Sequence, residues 1–189
     1  MGQKIRRLIS QLLLLKNVVV KSLAKRESPH HSKMNHPKIV SLKEILYNVS
    51  SDPIVFTNGC FDMFHAGHAH MLKSIKRSAP LDAKLVVGIN SDESVRANKG
   101  PDRPIICEEQ RAYLVACHES VDSVFIFNEV TVERHLRRLK PAFWYKGGDY
   151  DISNLNFSEK DAAKNTEILF VPFLEGISAT KIINNIKNK

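Results

Sequence analysis

The sequence predicts an α/β fold in one domain, preceded by a basic N-terminal extension, and three observations carry that prediction. From Pro53 onward, short runs rich in Val, Ile and Phe alternate with segments of helical pattern. The runs are apolar throughout, as in parallel strands covered on both faces. The first of them leads straight into Asn58-Gly59-Cys60-Phe61-Asp62-Met63-Phe64-His65-Ala66-Gly67-His68, a glycine-bearing strand-to-helix corner of the kind that binds phosphate. With right-handed crossovers these features make a Rossmann-like, doubly wound parallel sheet.

The elements follow in order. Ser41 predicts the N-cap of a short helix over 42–49, with Glu44 completing a capping box. Strands are predicted over 54–57, 85–89, 123–127, 143–145 and 168–172. Helices are predicted over 67–77, 108–119, 131–139, 159–164 and 178–186. Residues 27–38, with Ser28-Pro29-His30-His31 and His36-Pro37, read as a linker. The domains are therefore expected at 1–38 and 39–189, and 189 residues give one full core with a modest appendage.

The first segment holds the charge imbalance. Residues 1 to 38 carry nine of the 28 Lys and Arg residues but one of the 20 acids, Glu27, so the remaining 19 of each sign cancel and the formal charge of +8 belongs to this arm. The neutral body gives no reason to expect a nucleic-acid partner. Within the arm, Ile5, Leu8, Ile9, Leu12, Leu15, Val19 and Leu23 recur near helical spacing, and Lys16-Asn17 interrupts the apolar run before it reaches membrane-spanning length. Peripheral membrane contact through residues 1–26, an acid-poor targeting segment and an extension without catalytic role all fit this pattern. Met34 is a candidate alternative start. Three widely spaced cysteines, Cys60, Cys107 and Cys117, argue against a disulfide framework and for a reducing, cytoplasmic setting.

The chemistry concentrates at the corner and at three later points. Spacing of three brings His65 and His68 to one side of a first helical turn, and Gly67 lets an anion approach the backbone. Imidazoles satisfied by turn carbonyls, or a zinc site with His70, are the competing readings, and Cys60 is a nucleophile candidate without a partner. Lys99 and Arg103 sit in a Gly/Pro-rich loop suited to closing over phosphates. Arg111 falls on an amphipathic helix, as a phosphate ligand or a surface ion pair. Lys146 ends a strand and precedes Gly147 and Gly148, which permit close backbone approach. Ser178 and Thr180 open the last helix, where capping and phosphate binding use the same exposed N–H groups. Asp62 and Asp149 are turn-formers or contacts to a ribose or metal.

These motifs resemble the cytidylyltransferase-like nucleotidyltransferases. His65-Ala66-Gly67-His68 is similar to their HxGH signature, and Glu175-Gly176-Ile177-Ser178-Ala179-Thr180-Lys181 to the start of their last helix. Lys99-Gly100-Pro101-Asp102-Arg103-Pro104 with Glu109-Gln110-Arg111, and Lys146-Gly147-Gly148-Asp149-Tyr150, resemble runs found in heptose-1-phosphate adenylyltransferases. Phe173 and Leu174 stand where the glycerol-phosphate and choline-phosphate enzymes usually carry Arg, and Ala179 replaces a common Thr. Bifunctional heptose enzymes add a sugar kinase domain, for which this length leaves no room.

The resemblance implies transfer of AMP from ATP to a sugar 1-phosphate, D-glycero-β-D-manno-heptose 1-phosphate, giving ADP-heptose and pyrophosphate, with Mg²⁺ accompanying ATP and a homodimer as the assembly. On it, His65, His68 and Lys99 are expected to be catalytic. Thr57, Asn58, Gly59, Phe61, Gly67, Arg111, Lys146, Gly147, Asp149, Ser178 and Thr180 are expected around the nucleotide, and Asp62 and Arg103 around the acceptor. Two other outcomes remain open: a cytidylyltransferase making a CDP-alcohol from CTP and glycerol 3-phosphate or a similar phosphate, and an inactive nucleotide-binding or membrane-associated scaffold.

Overall fold

The structure, a computed structural model, describes residues 34–189 apart from 50, 51, 149–152, 154, 173 and 189. The expectations for the basic arm and its membrane contact, for Asp149 and for Phe173 therefore lie outside the described residues. The unit carrying the described elements runs from Asn35 to Lys189.

Five strands, β1 (Ile54–Gly59), β2 (Lys84–Asn90), β3 (Ser123–Phe127), β4 (Phe143–Gly147) and β5 (Glu167–Val171), form one parallel sheet in the order β3-β2-β1-β4-β5. Seven helices are described: α1 (Leu42–Asn48), α2 (Ala66–Ser78), α3 (Asp92–Lys99), α4 (Glu108–Ala116), α5 (Glu133–Leu139), α6 (Phe157–Ala162) and α7 (Ala179–Lys187). The Rossmann-like architecture is as the apolar runs predict. Side-chain alternation divides the core between the two faces. Val55, Leu85, Val87, Ile89 and Tyr145 meet Leu72 and Ile75 of α2 and Ala112 and Val115 of α4. Phe56, Val86, Phe125 and Trp144 meet Leu136 and Leu139 of α5 and Ala163 beyond α6.

The predicted capping box forms: Glu44 N–H donates to Ser41 Oγ at 3.2 Å, and Ser41 N–H donates to Glu44 Oε2 at 2.8 Å. Two expectations change. Lys38 does not end a linker, because Val124 N–H donates to its carbonyl at 2.8 Å and Val40 N–H donates to the Val124 carbonyl at 2.9 Å, extending the β3 edge. Between β2 and Lys99, where no element is predicted, the chain forms α3, capped by Ser91, whose Oγ accepts from Ser94 N–H at 3.2 Å. No helix among the described residues is long and apolar enough to cross a membrane.

Candidate active site

In this strand order the chain winds one way from β1 to β3 and the other way through β4 and β5, so the gap between β1 and β4 is the switch point where open α/β sheets bind ligands. A cavity of about 690 Å³ lies there, over the carboxyl ends of the strands. Asn58 and Gly59 of β1, Lys146 and Gly147 of β4, and His65, His68, Ser178 and Thr180 from two helix starts all line it.

Gly67 makes room for the His65 ring at the place where the two helix starts come close. A Cβ there would stand 3.0 Å from the His65 ring and 3.8 Å from the Ile177 carbonyl oxygen that leads into α7. The backbone of α2 is thus approached by a side chain of its own turn and by α7, and Gly67 itself is buried off the cavity wall. The start of α7 and the two histidines of the α2 start thus face one space, which suits an anion. Ser178 caps α7, accepting from Lys181 N–H at 3.2 Å, so both uses expected of its hydroxyl share one place.

His65 caps α2, and its ring stacks on His68 with centroids 3.9 Å apart and planes 17° apart. His68 Nδ1 accepts from His65 N–H at 3.4 Å, so a neutral His68 carries its proton on Nε2. No reciprocal bond completes a capping box here, since His65 Nδ1 is buried with no partner among the described residues. Phe61 and Phe64 pack beside His68 at ring separations of 5.1 and 5.6 Å. Burial, the neighbouring His65 and the charge of Lys99 push the His68 pKa down to about 4, against an opposing pull from Asp62. Burial lowers His65 as well. Near neutral pH the pair consists of two uncharged rings, hydrogen-bond donors rather than cations. Phe61 and Met63 hold positive φ angles of 50° and 54°, so the corner that presents the histidines is strained.

Lys146 lies with Nζ 4.9 Å from the centroid of Trp144, and burial lowers its pKa. Trp144 Nε1 donates to Asn58 Oδ1 at 3.1 Å, orienting an amide of the cavity wall. Gly147 also permits close approach, though by protein: its Cβ would fall 2.2 Å from Met71 Sδ.

Three expectations are corrected, for Lys99, Arg111 and Thr57, and two more residues, Asp62 and Arg103, gain a structural tie. Lys99 reaches the cavity from the last turn of α3 and not from a loop. Arg111 is fully buried and absent from the wall; it donates to Ile106 O at 2.9 Å, Asn90 O at 2.8 Å, Asp92 Oδ1 at 2.8 Å and the Cys60 carbonyl. Its position on the inner face of α4 draws it among carbonyls left by three converging chain ends. Thr57 is also fully buried, since it lies one pleat below the open end of β1. Asp62 is almost wholly enclosed and accepts from Ile105 N–H at 3.0 and 3.1 Å and Ile106 N–H at 3.1 Å. Arg103 Nη1 stands 3.1 Å from Asp62 Oδ2 as an ion-pair contact, but at an angle that makes no hydrogen bond. Asp62 and Arg103 thus fasten the 103–106 segment while still bordering the cavity.

Sequence reasoning missed Asn90, Asn98, Thr131, Asn156 and Glu159 on the wall. Helix α3, which brings Asn98, has one buried apolar side chain, Val95, and so little periodicity. Its signal was in the caps: Ser91, then Asp92 and Glu93, with Lys99 and Gly100 at the far end. Among the described residues, no group of three or more His, Cys, Asp or Glu is placed to hold a metal, and His70 is exposed on α2.

A profile of the cytidylyltransferase-like family matches residues 56–185, from β1 into α7. The chain is 41% identical over 152 residues to the bifunctional protein HldE of Helicobacter pylori strain ATCC 700392 / 26695, covering 80% of this chain and 32% of that protein. It is 36% identical over 165 residues to a protein of the same name from Trichlorobacter lovleyi, covering 87% and 33%. The chain thus spans about a third of the length of the curated relatives it matches. Among solved structures, a lipopolysaccharide core biosynthesis protein from Thermoplasma volcanium GSS1 aligns with a TM-score of 0.56 and 26% identity, over 66% of this chain and all of that one.

Proposed function

The chain belongs to the cytidylyltransferase-like family, and we propose that it is a nucleotidyltransferase moving AMP from ATP to a sugar 1-phosphate. D-glycero-β-D-manno-heptose 1-phosphate is the acceptor that the Lys99–Arg111 and Lys146–Tyr150 runs favour, with ADP-heptose and pyrophosphate as products. The observation that carries this reading is the meeting of the α2 start, which bears the stacked His65 and His68, with the α7 start in one cavity. Similarity to HldE and to a lipopolysaccharide core biosynthesis protein supports the sugar acceptor.

A phosphate oxygen of the acceptor attacks the α-phosphorus, and the bond to the bridging oxygen of the β-phosphate breaks as pyrophosphate leaves. No protein nucleophile takes part, so positioning and charge stabilisation carry the catalysis. The helix N–H groups hold phosphate oxygens, and Ser178 and Thr180 orient them. His68 Nε2–H donates to an oxygen on which charge grows in the transition state. Lys99 and Lys146 supply positive charge from opposite sides of β1.

Mg²⁺ is expected with ATP. The two carboxylates on the described wall are Asp62, already fastened to Ile105 and Ile106, and Glu159. That donor set fits an ion carried by phosphate oxygens and water, with Glu159 available to it, and not one caged by protein. When bound, the ion would neutralise phosphate charge. A cytoplasmic homodimer is the expected form, which light scattering and cell fractionation would test.

The deciding experiment offers ATP and CTP to the purified chain with heptose 1-phosphate, glycerol 3-phosphate and choline phosphate, and follows pyrophosphate and product mass. ADP-heptose is the expected product. CDP-glycerol would replace the reading with the cytidylyl one, and nucleotide binding with no pyrophosphate from any pair would leave a scaffold.

A further inference from the structure

Resting on the nucleotidyl-transfer reading, we infer that Asn98 and Thr131 form the wall that reads the acceptor sugar's hydroxyls, beside Lys99, which takes its phosphate. The cavity has two chemically unlike sides. Toward β4 and β5 stand the two helix starts, with the apolar side chains of Met71 and Ile177 near them. Those features suit a triphosphate and the flat faces of a base. Toward β2 and β3 the wall is polar: Asn98 and Lys99 come from α3, Thr131 from the loop after β3, and Asn90 from the end of β2, while Glu159 accepts from Val132 N–H in the same loop at 3.5 Å. Amides and hydroxyls both donate and accept, as a polyol requires. Among the described residues of the wall, Phe61 is the one Phe, Tyr or Trp, so these residues offer no aromatic cage for a quaternary ammonium such as choline.

This polar side is built and not merely exposed. Asn98 Nδ2 donates to the Val130 carbonyl at 3.4 Å, tying α3 to the β3–α5 loop. Ser94 Oγ donates to the Glu129 carbonyl at 2.8 Å and accepts from Asn90 Nδ2 at 2.9 Å. Behind the loop, buried His135 places Nε2 2.9 Å from Glu129 Oε2, with its ring tilted against both Phe125 and Phe127. The backbone leading into Thr131 is therefore tied to α3 at Glu129 and Val130 before any ligand arrives, which is the pre-organisation that hydroxyl discrimination needs. Lys99 follows Asn98 directly, and its charge is felt at His68. An acceptor phosphate between Lys99 and His68 places its sugar against Asn98 and Thr131.

The test uses the full chain with Thr131→Val and Asn98→Ala. Each should raise the acceptor KM about tenfold, the loss of roughly one hydrogen bond, while the Kd for ATP measured by calorimetry stays within about twofold. In a series of deoxy sugar 1-phosphates, the deoxy position that weakens wild type about tenfold should not weaken Thr131→Val further. Unchanged acceptor KM in both variants overturns the assignment. So does a weaker Kd for ATP, which would give this wall to the nucleotide. Wild type that forms no nucleotide sugar removes the transfer reading and this inference together; an active wild type with unaltered variants removes the inference alone.

Discussion

Arg111 Nη2 lies 2.8 Å from Asp92 Oδ1, with the guanidinium wholly enclosed and the carboxylate a quarter exposed. The same guanidinium also reaches three backbone carbonyls, at Cys60, Asn90 and Ile106. It joins the β1–α2 corner, the end of β2 and the segment before α4 behind the cavity wall, which makes it a positioning residue for the histidines and not a ligand to phosphate.

Replacing Arg111 by Met should therefore act on stability. Three carbonyls and one carboxylate would lose a buried charged donor, at a cost of about 3–5 kcal/mol. Arg111→Lys should recover part of it at most, because an ammonium cannot span four acceptors in a plane. Urea denaturation reads the effect. Unchanged stability with a raised KM for ATP would return Arg111 to the ligand.

His68→Ala should lower kcat about 10²–10³-fold, the usual loss for one donor to a developing oxyanion. His68→Gln should retain more, since its amide can still donate. Circular dichroism would establish that both variants fold. Normal turnover in folded His68→Ala would end the donor role.

The His68 pKa of about 4 also predicts a pH dependence of stability. The unfolded chain holds this imidazole near 6.5, so between pH 6.5 and 4 the unfolded state binds more protons than the folded one. Stability is then complete above about pH 6.5 and falls as pH drops toward 4, by at most about 3 kcal/mol. His65, shifted the same way, adds to the trend. Denaturation midpoints across this range should slope less in His68→Asn, and equal slopes would place the titration elsewhere.

Gly147→Ala should close part of the cavity floor. The added methyl meets Met71 Sδ at 2.2 Å, and Met71 is itself a wall residue that must swing away. Overpacking of this kind costs about 1–3 kcal/mol, and nucleotide affinity should fall with it. Adding Met71→Ala should restore both. A double variant no better than the single would show that the glycine serves another purpose.

Asp62→Asn should loosen one segment only. The carboxylate accepts from Ile105 and Ile106, so faster hydrogen exchange is expected at those two amides, with little change in the β2 strand. Uniform acceleration across the sheet would mean that Asp62 supports the whole fold.

Much of the fold could be read from local pattern. Ser123–Phe127 is a strand to the residue because five apolar-rich positions pack between two helical layers. β1 runs two residues past its expected end because Asn58 and Gly59 still pair with Gly88 and Ile89, whatever their side chains. α4 stops at Ala116, three residues short of the pattern, where Cys117 takes up the cap. Of the site, the paired histidines, Lys146, Ser178 and Thr180 were legible as motif residues, and they do share a cavity. Asn98 and Thr131 carried no such signal, because a neutral polar residue at the end of a weakly patterned segment looks like surface.

The chain by itself determined the alternation of strands and helices and the strand-to-helix corner where an anion belongs, since both follow from side-chain period and from a glycine beside two imidazoles. Only the tertiary structure decided which charged groups face the cavity. Arg111 and Asp92 are 19 positions apart, and Asp62 and Ile106 are 44 apart, yet each pair meets behind the wall. A buried guanidinium or carboxylate must find partners as it leaves water, and the winding of the strands, not the spacing along the chain, sets which partners are within reach.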